Sequence, residues 1–528
     1  MYRDLLPRLL IVLTLLTHGV VPVRADNINL PDLGDESATV ISPAQERRLG
    51  EDFMRHARQS LAFADDPELN EYLQSLGQRL VAQADTPNKD FRFFMVNDSA
   101  INAFAVPGGF VGVNTGLVLA TQNEAELASV LAHETTHIAQ RHIPRLIAES
   151  QRVSLPAMAA LLASILLAGS GHGQGAEAGI AITTATVAQR GINFTRAYEE
   201  EADRLGMTTL ARAGFDPQAM PAFFERMQTL NRANETNLPE FLRTHPVTTS
   251  RIADARNRAE RLPRRVSHDS DDYLHVHAKL RASSGDSAEL VRGFRSNLEQ
   301  GKYRDVYAER YGYALALLRN HEFSAARTEV QKLIAHRPSR VYYHVLQAQI
   351  ELAAGQPQQA LAIYAQSYKA TPNHLALLRY YADALVQTGQ NQPAYELLKT
   401  AVRQTPDDPD LYRLLAQAAG DSGHPLDAHK AMAEHYYLNG NPTAAMEQLR
   451  LALRYACDNF YQASSIEARI GAIRDEMALF DPKEGGKDNS TASAPSTRPG
   501  TRDLRGDSQK CSDPSGFVAP ARSGAAKR

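Results

Sequence analysis

From residue 311 onward the chain repeats itself, and the interval of that repeat restricts the fold more than any other feature. Ala326, Ala360, Ala394 and Ala428 fall 34 residues apart, as do Gly355, Gly389 and Gly423, and as do Pro338, Pro372 and Pro406. Three registers sharing one interval define a helix-turn-helix unit that stacks on copies of itself. The residue types suit such a unit. Glycine ends the first helix, a small alanine lets the second pack closely, and proline stops it. Gly440 and Ala445 then repeat the glycine-to-alanine spacing only 17 residues on. That half-period predicts one extra helix or an altered capping unit.

The interval is that of tetratricopeptide repeats, so residues 266–480 are expected to form an α-helical solenoid. A chain of 528 residues is too long for one core. Its first 25 residues read as a signal peptide: Arg3 and Arg8 precede an apolar run from Leu9 to Leu16, and Val23-Arg24-Ala25 offers a cleavage site before Asp26. The run is too short to span a bilayer comfortably. Residues 481–528, rich in Gly, Ser, Pro, Lys and Arg, are expected to be a disordered tail. An oxidising compartment would permit Cys457 and Cys511 to pair, and free thiols fit the sequence equally well. A formal net charge of −3 argues against a general nucleic-acid binder.

Between these ends, Ser42-Pro43-Ala44-Gln45 opens a helix with a capping box, and helical patterning continues to about residue 84. Strands are expected from Phe91 to Val96, from Ile101 to Val106 and, after the Pro107-Gly108-Gly109 turn, from Phe110 to Val113. Long helices dominate from Thr121. The apolar stretch 154–169 is interrupted by Pro156 and is shorter than the roughly 20 residues a membrane span needs. It is expected as a helix that covers a cleft, touches a partner or packs in the core, and peripheral membrane contact stays open.

The chemistry centres on His133-Glu134-Thr135-Thr136-His137, within a helix whose expected capping box is Thr121 with Glu124 and whose end is marked by Pro144. Residues four apart share a helical face, so both imidazoles reach one metal ion, and Glu134 stands where it can take a proton from water. With only two cysteines in the chain, the remaining ligand must be a histidine or carboxylate. His142 follows His137 too closely unless the helix breaks, so it reads as a capping or surface residue. Glu199 is the better third ligand. It shares a helical face with Asp203, Ala202 and Gly206, and Asp203 would orient a metal-bound histidine; Glu201 is the competing ligand.

HETTHIAQRH, with EEEAD some 60 residues on, resembles the gluzincin peptidase superfamily that includes HtpX and the CaaX-prenyl proteases. The signal peptide, the stretch NAFAVPGGFVGVNTGL and the repeats narrow the resemblance to the BepA-like family, periplasmic zinc metallopeptidases with chaperone-like roles in outer-membrane protein assembly and quality control. The resemblance covers residues from about 42 to 480. It implies a mainly α fold: a zincin-like α+β peptidase domain over residues 26–265, with a small sheet beside the His-Glu-x-x-His helix, ahead of the solenoid. It also implies one Zn2+ per chain, a substrate-holding edge strand through Asn102, Ala103 and Phe104, and a role for His245. That histidine either assists catalysis or occupies the open metal position and holds the enzyme latent; from the residues alone it is a loop histidine before Pro246.

The expected function is therefore periplasmic metalloendopeptidase. Polypeptides would be its substrates, and assembly machinery or its clients would bind the repeats. The rival reading is a periplasmic chaperone or assembly adaptor with little or latent proteolysis. Glu134 argues against it, because an adaptor has no need of a base there.

Overall fold

A computed structural model describes residues 41–150, 196–233, 239–266, 268–456 and 459–480. The signal-peptide segment, the apolar stretch 154–169, both cysteines and the tail lie outside the described residues.

Helix α1 (Pro43–Ser60) has the expected capping box, in which Ser42 and Gln45 exchange side-chain-to-backbone hydrogen bonds. The helical patterning beyond it is two helices. The chain leaves α1 at Leu61 in an extended conformation, and α2 (Pro67–Val81) starts afresh on Asp66, whose carboxylate accepts from the Glu68 and Leu69 amides. Leu69, Leu73, Leu76 and Leu80 form the buried stripe of α2, and each such leucine contributes about 1.5–3 kcal/mol. Three strands follow: β1 (Arg92–Val96), β2 (Ala103–Val106) and β3 (Phe110–Asn114). Their order is β1-β3-β2, with β3 parallel to β1 and antiparallel to β2. Strand β2 is thus an edge, pairing only with β3.

After the short helix α3 (Thr115–Ala120) comes α4 (Glu124–Ala139), the helix of the His-Glu-x-x-His motif. Every residue from Glu124 to His137 is buried, so this helix runs through the interior. Its cap differs from the expected one. Asn123 is the N-cap, accepting from the Glu126 amide at 2.9 Å. Thr121 is instead bound to the Val118 carbonyl and the Tyr273 hydroxyl. The end differs too. The chain leaves α4 at Gln140 and turns through Arg141 at φ 53°, and Pro144 stands early in the next helix, α5 (His142–Ser150). Left-handed backbone is costly for a non-glycine residue. Here the Arg141 side chain is tied down, donating to Glu46 and to the Ile41 carbonyl.

Helix α6 (Arg196–Arg212) packs along α4. Ala202 is fully buried, and a Cβ on Gly206 would come within 3.1 Å of the Ala132 carbonyl and the His133 amide. The close approach read from these two small residues is therefore present. Helices α7 (Ala219–Ala233), α8 (Glu240–Thr244) and α9 (Thr249–Glu260) complete the layer. The first helix beyond residue 265, α10 (Asp271–Ser283), gives Tyr273, Val276 and Leu280 to the same core.

Paired helices then run from Ser287 to Phe480. Ala326, Ala360, Ala394 and Ala428 are all fully buried, and Gly355, Gly389 and Gly423 have φ of 74°, 76° and 83° at their turns. The half-period at Gly440 has a tertiary cause. A Cβ there would lie 2.8 Å from the Arg55 carbonyl and 2.4 Å from Gln59, because α1 docks against this turn. Arg58 donates to the Leu438 carbonyl and Gln59 to Gly440. Nearby, Lys279 on α10 lies 2.7 Å from both Glu68 and Asp66, and Tyr311 and Tyr380 donate to the same two carboxylates. The repeats are thus fastened to the peptidase layer through a buried ionic cluster.

Candidate metal centre

The His133 and His137 side chains leave α4 one turn apart, and their Nε2 atoms lie 3.0 Å from each other. Glu199, from the first turn of α6, brings one carboxylate oxygen to 3.6 Å of His133 Nε2 and the other to 3.4 Å of His137 Nε2. His245, just after α8, places Nδ1 3.0 Å from Glu199 and 3.3 Å from His133 Nε2. One ligand atom from each of the four falls within 4.8 Å of the others, and all four residues are buried. His245 is held by its amide bond to the Phe241 carbonyl and by stacking on the Phe241 ring.

Both nitrogens away from this cluster are occupied. His133 Nδ1 lies 3.0 Å from Asp203, as the sequence predicted for that carboxylate. His137 Nδ1 lies 2.8 Å from His142 Nδ1. His142 is therefore neither a cap nor a surface residue: the break at Arg141 turns its ring inward, and it is fully buried. Glu201, the rival ligand, faces away from the cluster and meets His142 and Arg145 instead.

Arg251 on α9 was missed by sequence reasoning. Its guanidinium lies 2.7 Å from Glu199, makes a two-pronged contact with Asp203 at 2.7 and 2.8 Å, and donates to the Pro246 carbonyl. It thus ties the third ligand, the orienting carboxylate and the His245 loop together. Only its position, six residues past His245, hinted at this.

Burial opposes ionisation throughout, and the partners decide the outcome. For His133, burial pulls the pKa down, but hydrogen bonds with Asp203 and Glu199 carry it up to about 10. His137 goes the other way, pushed well below its ordinary value by burial and by the His133 charge. Burial alone would raise Glu199, yet His245 and His133 hold it well down. Burial lowers His142 to about 4 against the pull of Glu201. Glu134 is raised, chiefly by burial.

Neither Glu134 oxygen has a hydrogen bond of good geometry. The backbone of Ala105 on β2 acts on the carboxylate, and His245 Nε2 lies 3.4 Å from Oε1. Such a buried carboxylate is costly without a further partner. Two imidazoles with tied outer nitrogens and one carboxylate suit a divalent metal ion, and Glu134 stands beside that set. The donors present fit a metal. Asn102 and Ala103 are buried and Phe104 half-buried on the edge strand beside α4.

Fold and site together define a metallopeptidase joined to a tetratricopeptide array. The model of Peptidase family M48 matches residues 67–259, and tetratricopeptide models match residues 311–374 and 351–418. The beta-barrel assembly-enhancing protease of Escherichia coli (strain K12) is 35% identical over 490 residues, 91% of this chain and 99% of that protein. A putative beta-barrel assembly-enhancing protease of Vibrio cholerae is 40% identical over 323 residues, 60% of this chain and 66% of its own length. The mitochondrial metalloendopeptidase OMA1 of Schizosaccharomyces pombe is 31% identical over 205 residues, covering 39% of this chain and 56% of OMA1. The chain belongs to the beta-barrel assembly-enhancing protease family of M48 metallopeptidases.

Proposed function

We propose that this protein is a periplasmic zinc-dependent endopeptidase that acts in outer-membrane protein assembly and quality control, with a chaperone-like contribution from its repeats. The observation that carries the catalytic reading is Glu134, buried and unpaired beside three convergent donors. In this reading His133, His137 and Glu199 hold the zinc, and Asp203 orients His133. Bound there, zinc would polarise water and the scissile carbonyl. Glu134 accepts the proton of the attacking water and returns it to the leaving amine. Substrate lies as an added strand along β2, at Asn102, Ala103 and Phe104, with Ala105 next to the base. His245, within reach of Glu199, His133 and Glu134, supports a resting enzyme held closed until that histidine moves.

The assembly role and the periplasmic location follow the names and habits of the relatives, and the domain division at residues 265 and 266 completes the reading. No helix among the described residues is long and apolar enough to cross a membrane. The repeats would hold assembly partners or their clients. The test is cleavage of an unfolded β-barrel precursor by wild type and Glu134→Gln. Cleavage is expected to fall about 10²–10⁴-fold, with zinc content and precursor binding retained. Equal cleavage by the variant would overturn the catalytic reading.

A further inference from the structure

The two histidines of α4 are held in different ways. His133 turns its outer nitrogen to a carboxylate, Asp203, at 3.0 Å. His137 turns its outer nitrogen to another imidazole, His142, at 2.8 Å. We propose that His142 is a positioning residue for the metal centre: it holds His137 in the tautomer whose Nε2 lone pair faces the metal, and Glu201 holds His142 in the complementary tautomer. This rests on the reading of His133, His137 and Glu199 as metal ligands.

The proton positions follow from geometry. A histidine that binds metal through Nε2 must carry its proton on Nδ1. Two ring nitrogens form a hydrogen bond only when one has a proton and the other a lone pair. His137 Nδ1–H is therefore the donor, and His142 Nδ1 accepts. The His142 proton then sits on Nε2, which lies 3.3 Å from Glu201 Oε2, an acceptor. Three groups and two hydrogen bonds fix one tautomer each.

The surroundings keep the chain of contacts in place. Arg145 donates to the same Glu201 oxygen at 3.0 Å. The Tyr198 ring stacks on His142 at 4.7 Å with 18° between planes, and the Arg145 guanidinium lies over that tyrosine. Tyr198, Glu199 and Glu201 all belong to α6. Glu199 and Glu201 point roughly 200° apart round the helix, one to the metal set and one to His142. Docking of α6 therefore delivers the third ligand and the tautomer lock together. The arrangement also makes the two histidine ligands unequal, since a carboxylate raises the basicity of its imidazole more than a second imidazole does.

The experiment measures zinc affinity by competition with a chelator on the full mature chain, for wild type, His142→Leu and His142→Asn. The leucine variant fills the space without accepting a hydrogen bond, and its affinity is expected to fall about 10–100-fold. The asparagine variant places Oδ1 close to the lost Nδ1 and is expected to retain most of the affinity. Undiminished affinity in His142→Leu, or equal loss in both variants, overturns the proposal, because packing alone would then account for His142. Wild type that binds no zinc overturns instead the metal reading beneath it. Should the leucine variant fail to fold, zinc-loaded wild type with 15N-labelled histidine decides the matter. Coupling across the bond between His137 Nδ1 and His142 Nδ1, with the proton on His137, is expected; a proton on His142 Nδ1 overturns the assignment.

Discussion

The metal centre and the repeat array bury their side chains by opposite means. At the centre, His245 meets Glu199 across 46 positions of sequence and His133 across 112. Four ionisable ligands, Glu134, Asp203 and Arg251 are taken out of water together, and each relies on a charged or polar neighbour from another element. In the array each helix packs mainly on its sequence neighbours, and its closest contacts are made by alanines with no exposed surface. Removing a partner should therefore hurt the centre, whereas adding volume should hurt the array.

The largest effect expected from this contrast is at Arg251. Replacing it with methionine leaves Glu199 and Asp203 buried without their cation, and urea unfolding of chelator-treated protein should show a loss of about 3–5 kcal/mol. A cost no greater than that of a repeat substitution would break the comparison. Ala360→Leu comes next. Overpacking a fully buried position should cost about 1–3 kcal/mol in the same assay, while zinc affinity stays at the wild-type value. A fall in zinc affinity would mean that the two regions are coupled through the ionic cluster around Lys279. The smallest effect is a gain. His321 stands 34 residues before Gly355, in the same register, and adopts φ 60°. The conformation costs a non-glycine residue about 1–2 kcal/mol, and glycine gives back about 0.5–1 in chain entropy, so His321→Gly should stabilise the fold by up to about 1 kcal/mol. A destabilised variant would show that His321 contributes a contact worth more than its strain.

His321 also shows how far the sequence could be read. The 34-residue interval located Gly355, Gly389 and Gly423 at turns, yet only the coordinates reveal that a histidine holds the same turn one unit earlier. The candidate site was legible in the same partial way. His133, Glu134 and His137 announce themselves because helix geometry alone puts residues four apart on one face. Glu199 and Asp203 followed from a shared face with Ala202 and Gly206. His142 did not, because its role depends on a left-handed turn at Arg141 that Glu46 and Ile41, some 95 and 100 positions away, hold in place.

What the sequence by itself determined is what depends on neighbours along the chain: the repeat, the three strands, and the spacing of the motif on its helix. Tertiary structure decided the rest. It moved the cap of α4 from Thr121 to Asn123, because Tyr273 takes the threonine hydroxyl while Asp269 meets the first helical amide. It put Gly440 where α1 needs room, set Arg251 between two carboxylates, and turned His142 toward His137. Each of these rests on a contact between segments far apart in sequence, and local pattern carries no record of which distant group will arrive.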